Sequence, residues 1–159
     1  MKKILNIEDA IRISKELRNK NKTIVVVGGF FDILHEGHIK FLDAAKKYAD
    51  VLFVLLEEDS KAKEKGAARP IHPQANRAKI LSSLESVNYI IMLKNMTNNN
   101  QYDKLMSEIR PDIIATTYGD QYVEHKKRQA KLIGAKVVYA IKRIPEHSTT
   151  KYIKLINKN

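Results

Sequence analysis

Short runs of consecutive apolar residues alternate along the chain with segments in which apolar positions recur every three or four residues. The runs are Thr23-Ile24-Val25-Val26-Val27, Val51-Leu52-Phe53-Val54-Leu55-Leu56, Asn88-Tyr89-Ile90-Ile91-Met92, Asp112-Ile113-Ile114-Ala115 and Lys136-Val137-Val138-Tyr139. Runs without polar alternation belong to strands buried on both faces of a sheet. The intervening segments predict helices near 38–48, 75–85, 101–109, 123–133 and 149–156, and another at 7–19 precedes the first strand. Repeated β-α order predicts an α/β protein: a doubly wound, parallel, five-stranded sheet in a single domain over 1–159, with the helix in 1–21 packed on it. Ligands of such sheets sit outside the carboxyl ends of the strands, which directs attention to loops 28–37, 57–75, 116–122 and 141–149. The patch Thr97-Asn98-Asn99-Asn100 reads as an exposed turn before a helix.

Composition narrows the function classes. A chain of 159 residues buries roughly two-thirds of its unfolded surface and needs no disulfide or structural metal to fold. With no cysteine, disulfide scaffolds, thiolate zinc sites and cysteine nucleophiles are excluded. Met1-Lys2-Lys3 is not followed by the apolar stretch of a signal peptide, and the runs 24–31 and 51–56 fall short of the roughly 20 residues that span a bilayer. The expectation is a cytoplasmic protein without a membrane partner. Lys and Arg number 29 and Asp and Glu 18, so the net charge is 29 − 18 = +11, which favours anionic partners. Nucleic acid is not expected, because no basic stretch is interleaved with exposed aromatics.

The placement of the cations says more than their number. Helix starts are electropositive and normally carry acids or hydroxyls. The helix at 7–19 obeys, with Asn6 as cap and Glu8 and Asp9 in its first turn, and so does the helix at 123–133, with Asp120 and Glu124. Three others open on bases: Gly37-His38-Ile39-Lys40, the segment after Pro73 with Arg77 and Lys79, and Ser148-Thr149-Thr150-Lys151. Each misplaced cation costs about 0.3–1 kcal/mol unless an anion sits nearby. Two readings stand: a shared polyanion such as a nucleoside triphosphate, held by backbone N–H groups and these side chains, or a basic protein that scatters Lys and Arg.

In Gly28-Gly29-Phe30-Phe31-Asp32-Ile33-Leu34-His35-Glu36-Gly37-His38, two glycines directly after a buried strand allow backbone to approach a ligand, and Gly37 turns the chain into a helix. His35 and His38, three residues apart, project towards one point above the sheet and can donate to phosphate oxygens. No third ligand at a recognisable spacing accompanies them, so no protein metal site is expected.

Phe31-Asp32-Ile33-Leu34-His35-Glu36-Gly37-His38 resembles the HxGH signature of the cytidylyltransferase-like nucleotidyltransferase superfamily. Arg69-Pro70-Ile71-His72-Pro73-Gln74-Ala75-Asn76-Arg77 resembles the stretch that brings an arginine to the triphosphate, and Ser148-Thr149-Thr150-Lys151 resembles the hydroxyl-rich motif that opens its last helix. The resemblance implies a Rossmann-like fold and a nucleotidyltransferase enzyme. It is greatest to the heptose-1-phosphate adenylyltransferase domain of ADP-heptose synthases, which serve lipopolysaccharide and carbohydrate biosynthesis, and next to glycerol-3-phosphate cytidylyltransferases. Gly28-Gly29-Phe30-Phe31 and Tyr118-Gly119-Asp120-Gln121-Tyr122 depart from the heptose pattern, which leaves the acceptor open. No sugar-kinase segment is found, so a monofunctional chain is expected.

The resemblance further implies catalytic roles for His35, His38, Lys63 and Arg77, with Arg77 on the β and γ phosphates. Nucleotide contacts are implied for Gly29, Phe30, Phe31, Gly37, Gly119, Asp120, Ser148, Thr149 and Thr150, and an acceptor contact for Asp32. Lys63 is assigned the loop cation among Lys61, Lys63 and Lys65, against the competing reading of a solvated loop; Asp32 alternatively bonds its own turn, and Ser148 alternatively is a plain N-cap. Phe30, Tyr118 and Tyr122 either shape the pocket or pack in the core. The implied partners are ATP or CTP and a small phosphorylated acceptor, with Mg²⁺ as cofactor and a homodimer as assembly. An enzyme similar to FAD synthetase, and a non-catalytic nucleotide- or RNA-binding module, remain as alternatives.

Overall fold

In the computed structural model, which describes residues 2–64, 66, 68–94, 96–142 and 148–156, the apolar runs become parallel strands of one sheet. In chain order the elements are β1 (Ile4–Leu5), α1 (Ile7–Asn19), β2 (Ile24–Gly29), α2 (Glu36–Lys46), β3 (Val51–Leu56), α3 (Asp59–Lys63), α4 (Gln74–Ser82), β4 (Tyr89–Met92), α5 (Asn99–Ile109), β5 (Ile113–Tyr118), α6 (Val123–Ile133), β6 (Lys136–Lys142) and α7 (Thr149–Ile156). The sheet has six strands in the order β1-β4-β3-β2-β5-β6. Five were legible as apolar runs. The sixth, β1, pairs only Ile4 with Ile90 and Leu5 with Ile91, too short a segment to leave a pattern. The five-residue α3 inside loop 57–75 is likewise an addition.

Both faces of the sheet are covered, as unbroken apolar strands require. Side chains alternate along each strand. Ile24, Val26, Phe53 and Leu55 join Ala10, Leu105, Met106 and Ile109 in one layer, on the side of α1 and α5. Val25, Val27, Leu52, Val54 and Leu56 meet Phe41, Leu42, Ala45, Ala78 and Leu81 in the other, on the side of α2 and α4. Each such side chain contributes about 1.5–3 kcal/mol on full burial, so the two layers dominate the stabilisation. Among the described residues no helix is long and apolar enough to cross a membrane.

Helix ends follow local chemistry. Asn6 caps α1 by accepting from the Asp9 amide at 2.7 Å. The Asn98 and Gln101 side chains form a reciprocal capping box at the start of α5, so the polar patch at 97–100 is a helix-initiating signal. The amino-terminal edge of the sheet is pinned by two carboxylates. Asp50 accepts from the Thr23 amide at 2.9 Å and Asp112 from the Ile24 amide at 2.7 Å. The carboxyl-terminal edge is left to the loops. From β2 the chain proceeds to β3 and β4 on one side, whereas β5 and β6 lie on the other, so the order reverses between β2 and β5 and leaves a crevice there.

Candidate active site

A cleft of about 760 Å³ opens at this reversal point, floored by Val26, Gly28 and Gly29 of β2 and by Ile114, Ala115 and Thr116 of β5. One wall carries the loop after β2 and the start of α2. His35 is the N-cap of α2, and its Nδ1 accepts from the His38 amide at 3.4 Å. In the neutral ring this places the proton on Nε2. The His35 and His38 rings stack at 3.7 Å between centroids, with an interplanar angle of 20°. Phe31 holds a left-handed backbone (φ 49°), is buried, and meets the His38 ring edge-on at 5.1 Å. A Cβ on Gly29 would lie 2.9 Å from the Phe31 ring, so Gly29 is required by the aromatic that supports His38.

His38 is held as a neutral imidazole. Burial, then the neighbouring His35, lower its pKa to about 4 against the opposing pull of the Ile33 backbone. Its Nδ1 is buried and has no hydrogen-bond partner among the described residues. The unfolded chain binds a proton here below about pH 6.5, whereas the folded chain does so only near pH 4. Stability is therefore lost as pH falls through that window. His38→Gln removes this component: between pH 7 and pH 4.5 the variant is expected to lose about 2 kcal/mol less stability than the parent, as read by urea denaturation at both pH values.

The start of α7 lines the cleft beside α2. Ser148 Oγ accepts from the Lys151 amide at 3.2 Å, so Ser148 is an N-cap as well as a cleft-lining residue. Thr149 and Thr150 also line the cleft, and the Tyr152 ring lies 5.6 Å from that of His35. The structure thus brings together two of the three base-opened helices, α2 and α7, around one cavity. Their free N–H groups, the histidines and the hydroxyls form a concentration of donors suited to an anion.

The third helix does not join them. Arg77 is buried, and its guanidinium donates to the carbonyls of His72 (2.9 Å), Phe30 (2.5 Å) and Glu57 (2.9 Å) and to Asp59 Oδ1 (2.7 Å). The Arg77 guanidinium is directed into the protein, where its bonds tie together three loops at the carboxyl edge, and the residue does not line the cleft. The cation that reaches the cleft from this stretch is Arg69. Arg69 donates to Thr150 Oγ1 at 2.9 Å and lies 3.9 Å from Asp32 Oδ2.

Asp32 lines the cleft as well. Its buried carboxylate accepts from the backbone amides of Ile71 (3.0 Å) and His72 (3.0 Å), so it positions the Arg69 loop rather than bonding its own turn. Of the loop lysines, Lys61 lines the cleft and Lys63 does not; Lys65 lies outside the described residues. Phe30, Phe31 and Gly37 all line it. Gly119 does not, and its φ of 83° marks it as the residue that makes the turn after β5. Asp120 lines the cleft while accepting from Thr116 Oγ1 (2.6 Å), the Tyr122 amide (2.9 Å) and Lys126 Nζ. Burial would raise its pKa, but Lys126, Thr116 and that amide together hold it below the ordinary value. Tyr122 borders the cleft, whereas Tyr118 packs against Tyr139 with ring centroids 5.5 Å apart. Glu57, Lys61, Tyr102 and Lys126 are among the other lining residues, and only tertiary contact identifies them.

A Rossmann-like sheet whose histidine pair and two helix starts face one cleft at the strand-order reversal has the make-up of a nucleotidyltransferase. The chain belongs to the cytidylyltransferase-like family, whose profile matches residues 26–155. It is 39% identical over 157 residues to the bifunctional protein HldE of Aliarcobacter butzleri, covering 98% of this chain and 31% of that protein. The bifunctional protein HldE of Campylobacter fetus is 34% identical over 158 residues, covering 99% and 31%. The chain thus spans about a third of the length of these curated relatives. A lipopolysaccharide core biosynthesis protein from Thermoplasma volcanium superposes with a TM-score of 0.60 at 31% identity, covering 80% of this chain and 99% of that one. A pantoate–β-alanine ligase from Francisella tularensis shares the fold with a TM-score of 0.66 at 20% identity, covering 98% and 76%.

Proposed function

We propose that this domain transfers an adenylyl group from ATP to the phosphate of a sugar phosphate, heptose 1-phosphate foremost, with release of pyrophosphate. The observation that carries the reading is the stacked His35–His38 pair lining one cleft together with the Ser148–Thr150 helix start. Similarity to two HldE proteins along nearly the whole chain, and to a lipopolysaccharide core biosynthesis protein, supports the sugar phosphate.

In this reaction an acceptor phosphate oxygen forms a bond to the α-phosphorus, and the bond from that phosphorus to the α-β bridging oxygen breaks. The electron pair leaves with pyrophosphate. The nucleophile is anionic at neutral pH, so no general base is needed, and catalysis reduces to alignment and stabilisation of charge. His35 donates from Nε2 to the α-phosphate, and His38 faces the same region as a neutral ring. The α7 start, with Thr149, Thr150 and Arg69, holds the departing phosphates, and Lys61 meets the acceptor phosphate. Asp120 and the β5–α6 turn face the nucleoside.

Mg²⁺ belongs to this reading as the counter-ion of the triphosphate. Among the described residues no three His, Asp or Glu side chains cluster as a metal site. Asp32 and Asp120 are engaged by amides and by Lys126. Phosphate oxygens and water would therefore supply most ligands of the ion, its usual habit at such sites. The test is pyrophosphate release with Mg²⁺ over a grid of ATP, CTP, GTP and UTP against heptose 1-phosphate, glycerol 3-phosphate and FMN. Turnover of ATP with heptose 1-phosphate is the expected result; turnover confined to CTP with glycerol 3-phosphate would replace this substrate pair.

A further inference from the structure

Tyr102 lines the cleft from α5 and is fixed at both ends of its side chain. It packs against the apolar layer on the side of α1 and α5, and its hydroxyl donates to Glu57, 2.9 Å from Oε1 and 2.8 Å from Oε2. Burial, then Glu57, push the phenol far above its ordinary pKa, so the ring stays neutral and its hydroxyl stays a donor. The ammonium of Lys61, a half-buried residue of α3 that also lines the cleft, lies 4.8 Å from the centre of this ring. A cation within about 6 Å of a ring centre is attracted by the negative face of the ring.

We propose that Tyr102 is a positioning residue whose ring seats the Lys61 ammonium in the cleft, so that its charge meets the phosphate of the acceptor. The proposal rests on the adenylyl-transfer reading above, in which Lys61 meets that phosphate. It gives a role to a residue outside the motifs in 28–38, 69–77 and 148–151.

Two features of the surroundings call for such a seat. A lysine carries its charge on a long flexible stem, which a binding site must hold in one place before the ligand arrives. The segment around α3 is also rich in acids, and Glu57, Glu58 and Glu64 all lie close enough to Tyr102 to act on its phenol. An ammonium drawn onto one of these carboxylates would present no net charge to an incoming phosphate. An aromatic face attracts the ammonium without adding a negative charge, so the cation keeps both its place and its net charge. Lys63, two positions on in the same short helix, is exposed and does not line the cleft.

The experiment compares the unmodified protein with Lys61→Met, Tyr102→Leu, Tyr102→Phe and the double variant of Lys61→Met with Tyr102→Leu. Heptose 1-phosphate and glycerol 3-phosphate are titrated calorimetrically into each, with Mg²⁺ and a non-hydrolysable ATP analogue. Lys61→Met and Tyr102→Leu are each expected to weaken the better-bound phosphate by about five- to tenfold, with affinity for the ATP analogue changed by less than about twofold. The double variant is expected to bind no worse than Lys61→Met, because the ring acts through the lysine. Tyr102→Phe keeps the ring and is expected to recover most of the affinity lost in Tyr102→Leu. In NMR spectra of the unliganded proteins, ring current is expected to move the Lys61 ε-methylene protons upfield in the unmodified protein and in Tyr102→Phe, but not in Tyr102→Leu. Where Tyr102→Leu lowers the Tm, the shift in the unmodified protein still decides the contact. An ordinary Lys61 shift there, neither phosphate bound, losses that multiply in the double variant, Tyr102→Phe as weak as Tyr102→Leu, or loss of nucleotide affinity in place of acceptor affinity would each overturn the seat. Pyrophosphate release in parallel separates the two claims. Phosphate binding that depends on both residues, without turnover of any acceptor, rejects the transfer reading and keeps the seat. Turnover with the acceptor kcat/KM unchanged in Tyr102→Leu rejects the seat alone.

Discussion

Arg77→Ala is expected to lower the Tm by roughly 10 °C or more, whereas Arg69→Ala lowers it by less and removes most of the activity. The two arginines stand eight positions apart in one motif-bearing stretch, yet their surroundings are opposite. Arg77 is completely enclosed, and its loss would strand the carbonyls of Phe30, Glu57 and His72 and one partner of Asp59. Leaving each buried acceptor without its donor costs about 1–3 kcal/mol. Arg77→Lys is not a rescue, because a single ammonium cannot reproduce a planar fork serving four acceptors. Arg69 instead lines the cleft, bonded to the Thr150 hydroxyl and paired at 3.9 Å with Asp32. Loss of a cation directed at a departing pyrophosphate is expected to lower kcat/KM by about 10²–10³-fold. Thermal denaturation followed by pyrophosphate-release kinetics on both variants checks the contrast. A stable, inactive Arg77→Ala would return the phosphate role to Arg77.

His38→Ala is expected to reduce kcat by about 10²–10³-fold with the nucleotide KM changed by less than about threefold. The attacking phosphate already carries its charge, so the rate depends on donors placed where charge grows in the transition state. A neutral ring stacked on His35 and braced by Phe31 is prearranged and pays little reorganisation during reaction. His35→Ala should resemble His38→Ala, and the double variant should be little worse than either, because the stacked rings act as one unit. Near-parental kcat in His38→Ala would remove the pair from the chemistry.

The extent to which the site was legible follows the range of the interactions involved. His35 and His38 share the cleft because strand, glycine turn and helix start are contiguous, and a three-residue spacing translates directly into geometry. Ser148, Thr149 and Thr150 were legible for the same reason, as a hydroxyl-rich helix start. Arg69 and Arg77 were not separable, since both are arginines in one loop-to-helix segment and only the chain folded around Arg77 uses up its donors. Asp32 belongs with them: its amide partners lie 39 and 40 residues away at Ile71 and His72. Lys61 lines the cleft and Lys63 does not, because the short helix α3, which no apolar pattern announced, turns one lysine to the cleft and the other to solvent.

By itself the sequence determined the layered parallel sheet, the edge at which the cleft opens and the two motif loops that flank it. Apolar periodicity and helix-start chemistry are local properties, and they survive any rearrangement of distant parts. The tertiary structure decided which charged groups are free to meet a ligand and which are consumed in holding loops together. It also brought Glu57, just after β3, Lys61 of α3 and Tyr102 of α5 to one cleft. The physical reason is that a side chain's availability depends on every acceptor packed around it, and those acceptors come from segments that only the folded chain brings into contact.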